Sequence, residues 1–291
     1  MESFQNKLPL ISIVTVCLNN SKELEDTIIN IKEQTYNNRE YIVIDGGSTD
    51  NTLDIINKYK NNISYWISEK DNGVYDAMNK GISFVKGDIV NFLNAGDFYY
   101  DKKILSLVSK DYLENGFPDL IYGLAYCYSS EVQINYISGT RVKDDNLWKG
   151  MPICHQSIFF KKSLFNILGN FNLDYKTSAD YEWLLRFRKN IKNYNFKDYF
   201  IDLPLTKFKL YGLSSSNYLE NLNEIENISK KYFLFNFPKK LHFYLKKVKY
   251  MFLKILAITK LIYLYKKIKY NIVYKISFKL RNKKKNLLKN N

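Results

Sequence analysis

Cysteine is scarce in this chain, and acid is missing from its end. The 291 residues hold three cysteines, Cys17, Cys127 and Cys154, far apart and without a CxxC pair. They are too few and too scattered for a disulfide framework and read as free thiols in a reducing compartment. No uncharged apolar run reaches the roughly 18 residues that a spanning helix needs; the nearest candidate, 250–265, is interrupted by Lys254 and Lys260. No secretory leader is read either. The apolar run at 8–18 carries Pro9, Ser12 and Thr15, and no small-residue cleavage site follows it. A GxGxxG after the first predicted strand and a GxxxxGK[ST] anywhere are both lacking, which argues against a dinucleotide enzyme and a P-loop NTPase. Internal repeats are absent.

The missing acid divides the chain. Residues 230–291 contain 19 of the 44 Lys and Arg and none of the 29 Asp and Glu. The other 25 basic residues against all 29 acids leave residues 1–229 at −4. The charge therefore belongs to an extension, attached to a near-neutral domain. The length suits one large domain with an appendage, and a hydrophobic content of 46% is enough for a sizeable core. The expected division is a catalytic domain over 1–228 and a basic helical tail over 229–291.

Before the tail, strand and helix patterns alternate. Residues 10–18 form a near-continuous β-branched run, suited to a strand covered on both faces of a parallel sheet. Asn19, Asn20 and Ser21 supply turn and helix-cap chemistry, and 23–34 places Leu24, Ile28 and Ile31 at helical spacing. Strand patterns at 41–44, 63–67 and 88–93 then enclose helix patterns at 52–60 and 74–85. This β-α-β-α-β-α-β order predicts a mostly parallel α/β sheet with helices on both faces. Ligands in such sheets bind beyond the carboxyl ends of the strands. Three strand ends are polar or glycine-rich: Asn19-Asn20, Asp45-Gly46-Gly47-Ser48 and Asn94-Ala95-Gly96-Asp97. All three are expected at one crevice. Asp97 there either closes a turn or meets a Mg²⁺ or Mn²⁺ whose other ligands are diphosphate oxygens and water. Further on, 120–137 alternates like antiparallel strands, 151–160 reads as a loop entering a strand, and 179–189 as a short amphipathic helix. The loop 211–216, rich in Ser and Gly, reads either as a plain connection or as a segment that closes over the donor.

The stretches Ser12-Ile-Val-Thr15-Val-Cys-Leu-Asn19, Val43-Ile-Asp45-Gly-Gly-Ser-Thr-Asp50, Asp71-Asn-Gly-Val-Tyr-Asp76-Ala-Met-Asn79-Lys-Gly81 and Phe92-Leu-Asn94-Ala-Gly-Asp97 occur in order. Together with His155-Gln156 and Ser178-Ala-Asp180-Tyr-Glu-Trp183 they resemble the family 2 glycosyltransferases of the GT-A fold, in the branch that builds bacterial surface polysaccharides. The resemblance covers roughly residues 8–215. It implies a UDP-sugar donor, a Mn²⁺ or Mg²⁺ ion and transfer with inversion. Asp45 matches the acid that hydrogen-bonds uracil; Thr15, Asn19, Asp76, Asn79 and Asn94 fall on the donor side. Asp97 matches the metal-binding acid. Two acids common in relatives are replaced, by Gly46 and by Ala95. Asp180 matches the general base, although Thr177-x-x-Asp180 is also a capping-box pattern. His155 and Trp183 match the acceptor or diphosphate side; read without the family, His155 suits packing or hydrogen bonding and Trp183 suits the core.

In the tail, Leu241, Leu245, Val248, Phe252 and Ile255 step by four and three along a helix pattern at 239–259, with Lys240, Lys247 and Lys254 on its flank. Residues 279–289 then close the chain in a Lys- and Arg-rich run. A basic amphipathic helix reads as lying on an anionic membrane surface, through residues 239–289; helices packed on the domain with Lys outward are the other reading. No nucleic-acid module accompanies the charge, and no nucleic acid is expected as partner. The acceptor is then a lipid-linked glycan, and the place of work the cytoplasmic face of the membrane. A nucleotidyltransferase, or a basic membrane- or nucleic-acid-binding protein on a non-catalytic α/β scaffold, are the competing readings. Removal of residues 230–291 is expected to abolish vesicle binding and leave nucleotide binding intact, measured by flotation and by titration calorimetry.

Overall fold

A computed structural model of the chain describes residues 8–129, 134–210 and 218–258. The loop expected at 211–216 and the basic run at 279–289 lie outside the described residues. The chain begins with β1 (Ile11–Cys17), α1 (Ser21–Lys32), β2 (Arg39–Asp45), α2 (Thr52–Lys58), β3 (Tyr65–Ser68), α3 (Val74–Phe84) and β4 (Ile89–Phe92). The alternation read from the sequence is present, with ends shifted by a residue or two. It continues through β5 (Phe98–Tyr99), α4 (Ile104–Glu114), β6 (Leu120–Ser129), β7 (Ile134–Ser138), α5 (Asp144–Leu147), β8 (Ile158–Lys161), α6 (Ser163–Leu168), α7 (Ala179–Asn190) and β9 (Asp198–Lys209). Two helices follow, α8 (Tyr218–Tyr232) and α9 (Phe237–Ile258).

One sheet runs through the described residues in the order β3-β2-β1-β4-β8-β6-β9-β5, with β7 paired to β6. The first four strands are parallel. β8 enters antiparallel between β4 and β6. β7 pairs antiparallel with β6, as read for 120–137, while β6 pairs in parallel with β9 on its other side. The insertion of β8 positions the site: it brings the turn ahead of Ile158 beside the carboxyl end of β4.

Side chains alternate across the pleat. Val14 and Val16 of β1 and Ile42 and Ile44 of β2 face a core with Tyr75, Ala77 and Met78 of α3 and the aromatic residues of α6 and α7. Ile11 and Ile13, with Tyr41 and Val43, face Leu24, Ile28 and Ile31 of α1, Ile56 of α2 and Leu105 and Val108 of α4. Both faces are therefore covered, which explains the unbroken apolar run of β1.

The start of α1 is organised differently from the expected helix cap. No side chain caps it. Instead the N–H groups of Asn19, Asn20 and Ser21 donate to Ser48 Oγ (2.7 Å), Thr52 Oγ1 (3.2 Å) and Asp50 Oδ2 (3.3 Å). The Ser-Thr-Asp end of the second strand's turn thus satisfies the donors of the first. At the tail, the expected boundary after residue 228 falls inside α8. Glu224 of that helix accepts the N–H groups of Lys176 and Thr177 and the Thr177 hydroxyl, all within 2.9 Å.

α3 lies close against the sheet because Gly81 has no side chain. A Cβ at that position would meet Val14 Cγ1 at 2.5 Å and Ile44 Cγ1 at 3.4 Å. Gly81→Ala is expected to destabilise the fold by about 1–3 kcal/mol through overpacking, measured by urea denaturation.

Candidate active site

Four elements converge at the carboxyl edge of the parallel strands. The turn after β4 runs Asn94-Ala95-Gly96-Asp97, closed by Asp97 N–H donating to Asn94 O at 3.0 Å. Gly96 adopts φ +91°, a conformation glycine supplies at low cost. The side chain of Asp97 is thereby turned inward and buried. Its one side-chain hydrogen-bond partner among the described residues is Gln156, whose Nε2 donates to Oδ2 at 2.8 Å. Burial without a counter-charge pushes the Asp97 carboxyl up to about 7, opposed by the Gln156 hydrogen bond.

The neighbouring His155 carries the connection onward. Asn94 Nδ2 lies 3.4 Å from His155 Nε2, and His155 Nδ1 lies 3.5 Å from Asp180 Oδ2. With Nε2 accepting from the amide, the ring proton sits on Nδ1 and faces the carboxylate. Burial lowers the pKa of His155, against the pull of Asp180, so the ring is neutral near pH 7. Asp180 Oδ1 accepts from Tyr75 Oη at 2.8 Å and from Tyr181 N–H at 2.8 Å. The capping box does not form: Ser178 is the N-cap of α7 and makes no side-chain cap bond. Burial, with Asp180 beside it, raises the Tyr75 pKa well above its ordinary value, so its hydroxyl stays a donor.

Asp97, Asn94, His155 and Asp180 thus lie in sequence of contact, with Gln156 hydrogen-bonded to Asp97 and Tyr75 to Asp180. Other expected residues make bonds within the fold. Thr15 is buried and donates to Leu93 O at 2.6 Å, tying β1 to the end of β4. The Asn79 amide clamps the backbone of Phe171, donating at 2.9 Å and accepting at 3.0 Å. Asp76 accepts the Asn72 N–H at 2.9 Å and stands 3.9 Å from Lys80, at the start of α3. Trp183 lies in the core, one of the two readings given for it. It is 1% exposed, donates to Gly169 O at 2.9 Å and packs against Phe160, Phe165 and Phe187.

At the end of β2, Asp45 is buried. It accepts from Gly47 and Ser48 N–H groups (3.2 and 2.9 Å), from the Ser48 and Ser68 hydroxyls, and from the Cys17 thiol at 3.7 Å. Its carboxylate is occupied by the turn that it organises. Asn19 lies beside it, accepting the Thr49 N–H at 2.8 Å. Gly46, where relatives carry an acid, is not an empty position. A side chain there would collide with the carboxylate of Asp71, from the loop after β3. An acid is therefore present in that volume, delivered by a different strand end. Gln156 and Asp71 are both legible as polar residues within the motifs; nothing in their spacing signals which partners they meet.

The donor set fits a hard divalent cation. Asp97 supplies a carboxylate, and Asn94 Oδ1 is buried without a hydrogen-bond partner. Among the described residues no three His, Cys, Asp or Glu side chains gather to hold a metal alone. Oxygens of a bound diphosphate and water would complete the coordination.

Fold and site together define a glycosyltransferase of the GT-A type. The model of glycosyl transferase family 2 matches residues 12–192, and the chain belongs to that family. PGL/p-HBAD biosynthesis glycosyltransferases of Mycobacterium bovis and Mycobacterium tuberculosis are 35% identical over 181 residues, 61% of this chain and 69% of theirs. The hyaluronan synthase of Pasteurella multocida is 27% identical over 195 residues, 64% of this chain and 19% of that one. Among solved structures, S. aureus TarS 1-349 in complex with UDP-GlcNAc superposes with a TM-score of 0.57 at 15% identity, covering 75% of this chain and 66% of that one. The mannosyltransferase PcManGT from Pyrobaculum calidifontis, in complex with GDP-Man and Mn²⁺, gives 0.55 at 17% identity, covering 75% and 64%.

The raised Asp97 pKa predicts a pH dependence. The folded state holds this proton more tightly than the unfolded chain, so stability from this group falls as pH rises through about 7, where burial sets its pKa. A divalent cation must displace the same proton. Mn²⁺-supported UDP binding is expected to strengthen roughly tenfold per unit below about pH 7 and to level off above it. Asp97→Asn should flatten the profile, read by calorimetry.

Proposed function

We propose that the chain is an inverting glycosyltransferase that moves a sugar from a UDP-sugar to a hydroxyl of a lipid-linked glycan, in surface polysaccharide biosynthesis at the cytoplasmic face of the membrane. The observation that carries this reading is the run of contacts from Asp97 to Gln156, through its chain neighbour His155, to Asp180 3.5 Å further on. It supports a site in which a metal-suited carboxylate and a base-suited carboxylate work together.

Asp180 is the general base. Tyr75 and the Tyr181 N–H hold Oδ1, which leaves Oδ2 to take the proton of the acceptor hydroxyl. As that oxygen forms its bond to the anomeric carbon, the bond from that carbon to the diphosphate breaks, and its electron pair leaves with UDP. Inversion follows from this single displacement. Neutral His155 stands beside Oδ2, with Nδ1 3.5 Å away, and leaves that oxygen without a hydrogen bond among the described residues. Asp97 and Asn94 would hold Mn²⁺ or Mg²⁺, which when bound neutralises charge on the departing diphosphate. UDP is favoured as the carrier because a TarS structure holds UDP-GlcNAc; a GDP-sugar, as in the mannosyltransferase, is the alternative.

The membrane side rests on α9. Phe237, Leu241, Tyr244, Leu245, Val248, Met251 and Phe252 form one stripe along it and are 41–73% exposed. The opposite face packs on the domain through Phe243, which is buried. Tyr218 stacks on Tyr250 with ring centroids 4.8 Å apart, and Lys247 pairs with Glu226 at 2.6 Å. An apolar stripe flanked by Lys suits an anionic bilayer surface. No described helix is long and apolar enough to cross a membrane.

A panel of UDP-, GDP- and dTDP-sugars, assayed for Mn²⁺-dependent binding and slow hydrolysis, tests the donor. Asp180→Asn is expected to bind the donor normally and to lose transfer by about 10²–10⁴-fold. Loss of donor binding in that variant would refute the assignment of the base.

A further inference from the structure

Beside α7 stands a group of cations without paired acids. Trp148 follows α5, and its indole lies under two ammonium groups, Lys149 Nζ at 5.4 Å and Lys239 Nζ at 5.7 Å from the ring centroid. Lys246 Nζ approaches the Lys149 carbonyl at 3.3 Å. Each ammonium has a neutral acceptor: Lys149 donates to Asn146 Oδ1 at 2.6 Å, and Lys239 to Leu234 O at 2.6 Å. Among the described residues, no carboxylate pairs with any of the three. An ammonium carries three donors, so most of theirs are uncommitted. His242 sits edge-on to Trp148 with ring centroids 4.9 Å apart, and its Nε2 is buried without a partner. The cations raise the local potential: burial, then Lys246 and Lys149, lower the His242 pKa, and burial, then Lys149, lower that of Lys246. Like charges gathered on a partly desolvated surface are destabilising unless an anion joins them.

The place of the cluster indicates which anion. Tyr181 follows the proposed base Asp180 directly, and its hydroxyl donates to Leu147 O at 2.6 Å, one residue before Trp148. The hydroxyl of Ser229 holds the Trp148 carbonyl at 2.5 Å. The cluster therefore backs onto the acceptor side of the crevice. On α9 it occupies the domain-facing side, with the exposed apolar stripe on the other. It lies between the surface suited to lipid and the residue suited to activate the acceptor.

We propose that Lys149, Lys239, Lys246 and His242, around Trp148, bind the phosphate or diphosphate group through which a lipid carries the glycan acceptor. The assignment rests on the acceptor reading above and adds the residues that seat its charged link. Seating the link there would hold the glycan end toward Asp180 while the lipid stays in the bilayer.

The chain has two histidines, so ring signals from labelled protein report the two sites separately: His242 the cluster and His155 the crevice. Titration of the full chain with inorganic pyrophosphate, with UDP and Mn²⁺ filling the donor site, is expected to shift His242 and raise its pKa. Lys149→Gln combined with Lys246→Gln should weaken that response at least ~tenfold, the scale of losing one charge-assisted hydrogen bond, while His155 responds to UDP as before. A His242 signal that ignores pyrophosphate, or responds equally in the double variant, overturns the site. Vesicles of phosphatidylcholine with phosphatidic acid or with phosphatidylglycerol, matched in surface charge, test the lipid source. Preference for the phosphomonoester, lost in the double variant, supports it; a pyrophosphate response without that preference overturns the assignment to a lipid. Leu245→Glu with Phe252→Glu separates the two readings. It should abolish vesicle binding and leave the His242 response in place; loss of that response too would overturn the independence of the site from the apolar stripe.

Discussion

The hydrogen bond from Gln156 to Asp97 joins residues 59 positions apart, and the rest of the crevice is arranged by what makes it possible. A buried carboxylate without a cation is costly. Gln156 satisfies one oxygen, and burial holds the proton on the carboxyl up to about pH 7. The adjoining His155 meets Asn94 at 3.4 Å on one side and Asp180 at 3.5 Å on the other. Two consecutive residues of one turn, held at the start of β8, thus bring the ends of β4 and α7 together.

That turn depends on the sheet. β8 is antiparallel between two strands that run the other way, and Asn91 of β4 anchors the turn and strand by donating to the carbonyls of Gln156 and Ile158 at 2.9 and 2.8 Å. A polar residue in a fully buried strand needs such partners. Asn91 has a third in Tyr99, whose hydroxyl donates to Oδ1 at 2.8 Å. The interior polar network fixes this turn to the buried strands of the sheet.

Much of this was legible before the structure. The β-α alternation over the first ninety residues follows from local periodicity, and the strand-end turns follow from Gly, Asn and Asp at the ends of apolar runs. Asp97 and Asp180 stand out because their motifs are in register. What stayed hidden depends on tertiary pairing. Nothing local tells that Thr15 would serve Leu93, that Asn79 would clamp Phe171, or that Trp183 would be sealed among phenylalanines. The place of β8 in the sheet, and hence the meeting of Gln156 with Asp97, has no periodic signature. The boundary read from charge falls within α8. Charge composition changes at residue 230, but packing does not: Leu222 and Ile228 of α8 are buried in the domain, and surface charge carries no information about what lies beneath it.

The glycine at position 46 leaves room for a neighbour. A side chain there would push the carboxylate of Asp71 aside. Its absence lets the loop after one strand lay an acid against the turn that ends the next, so the charge of this corner is set by the shape of the backbone and not by the turn's own residues alone.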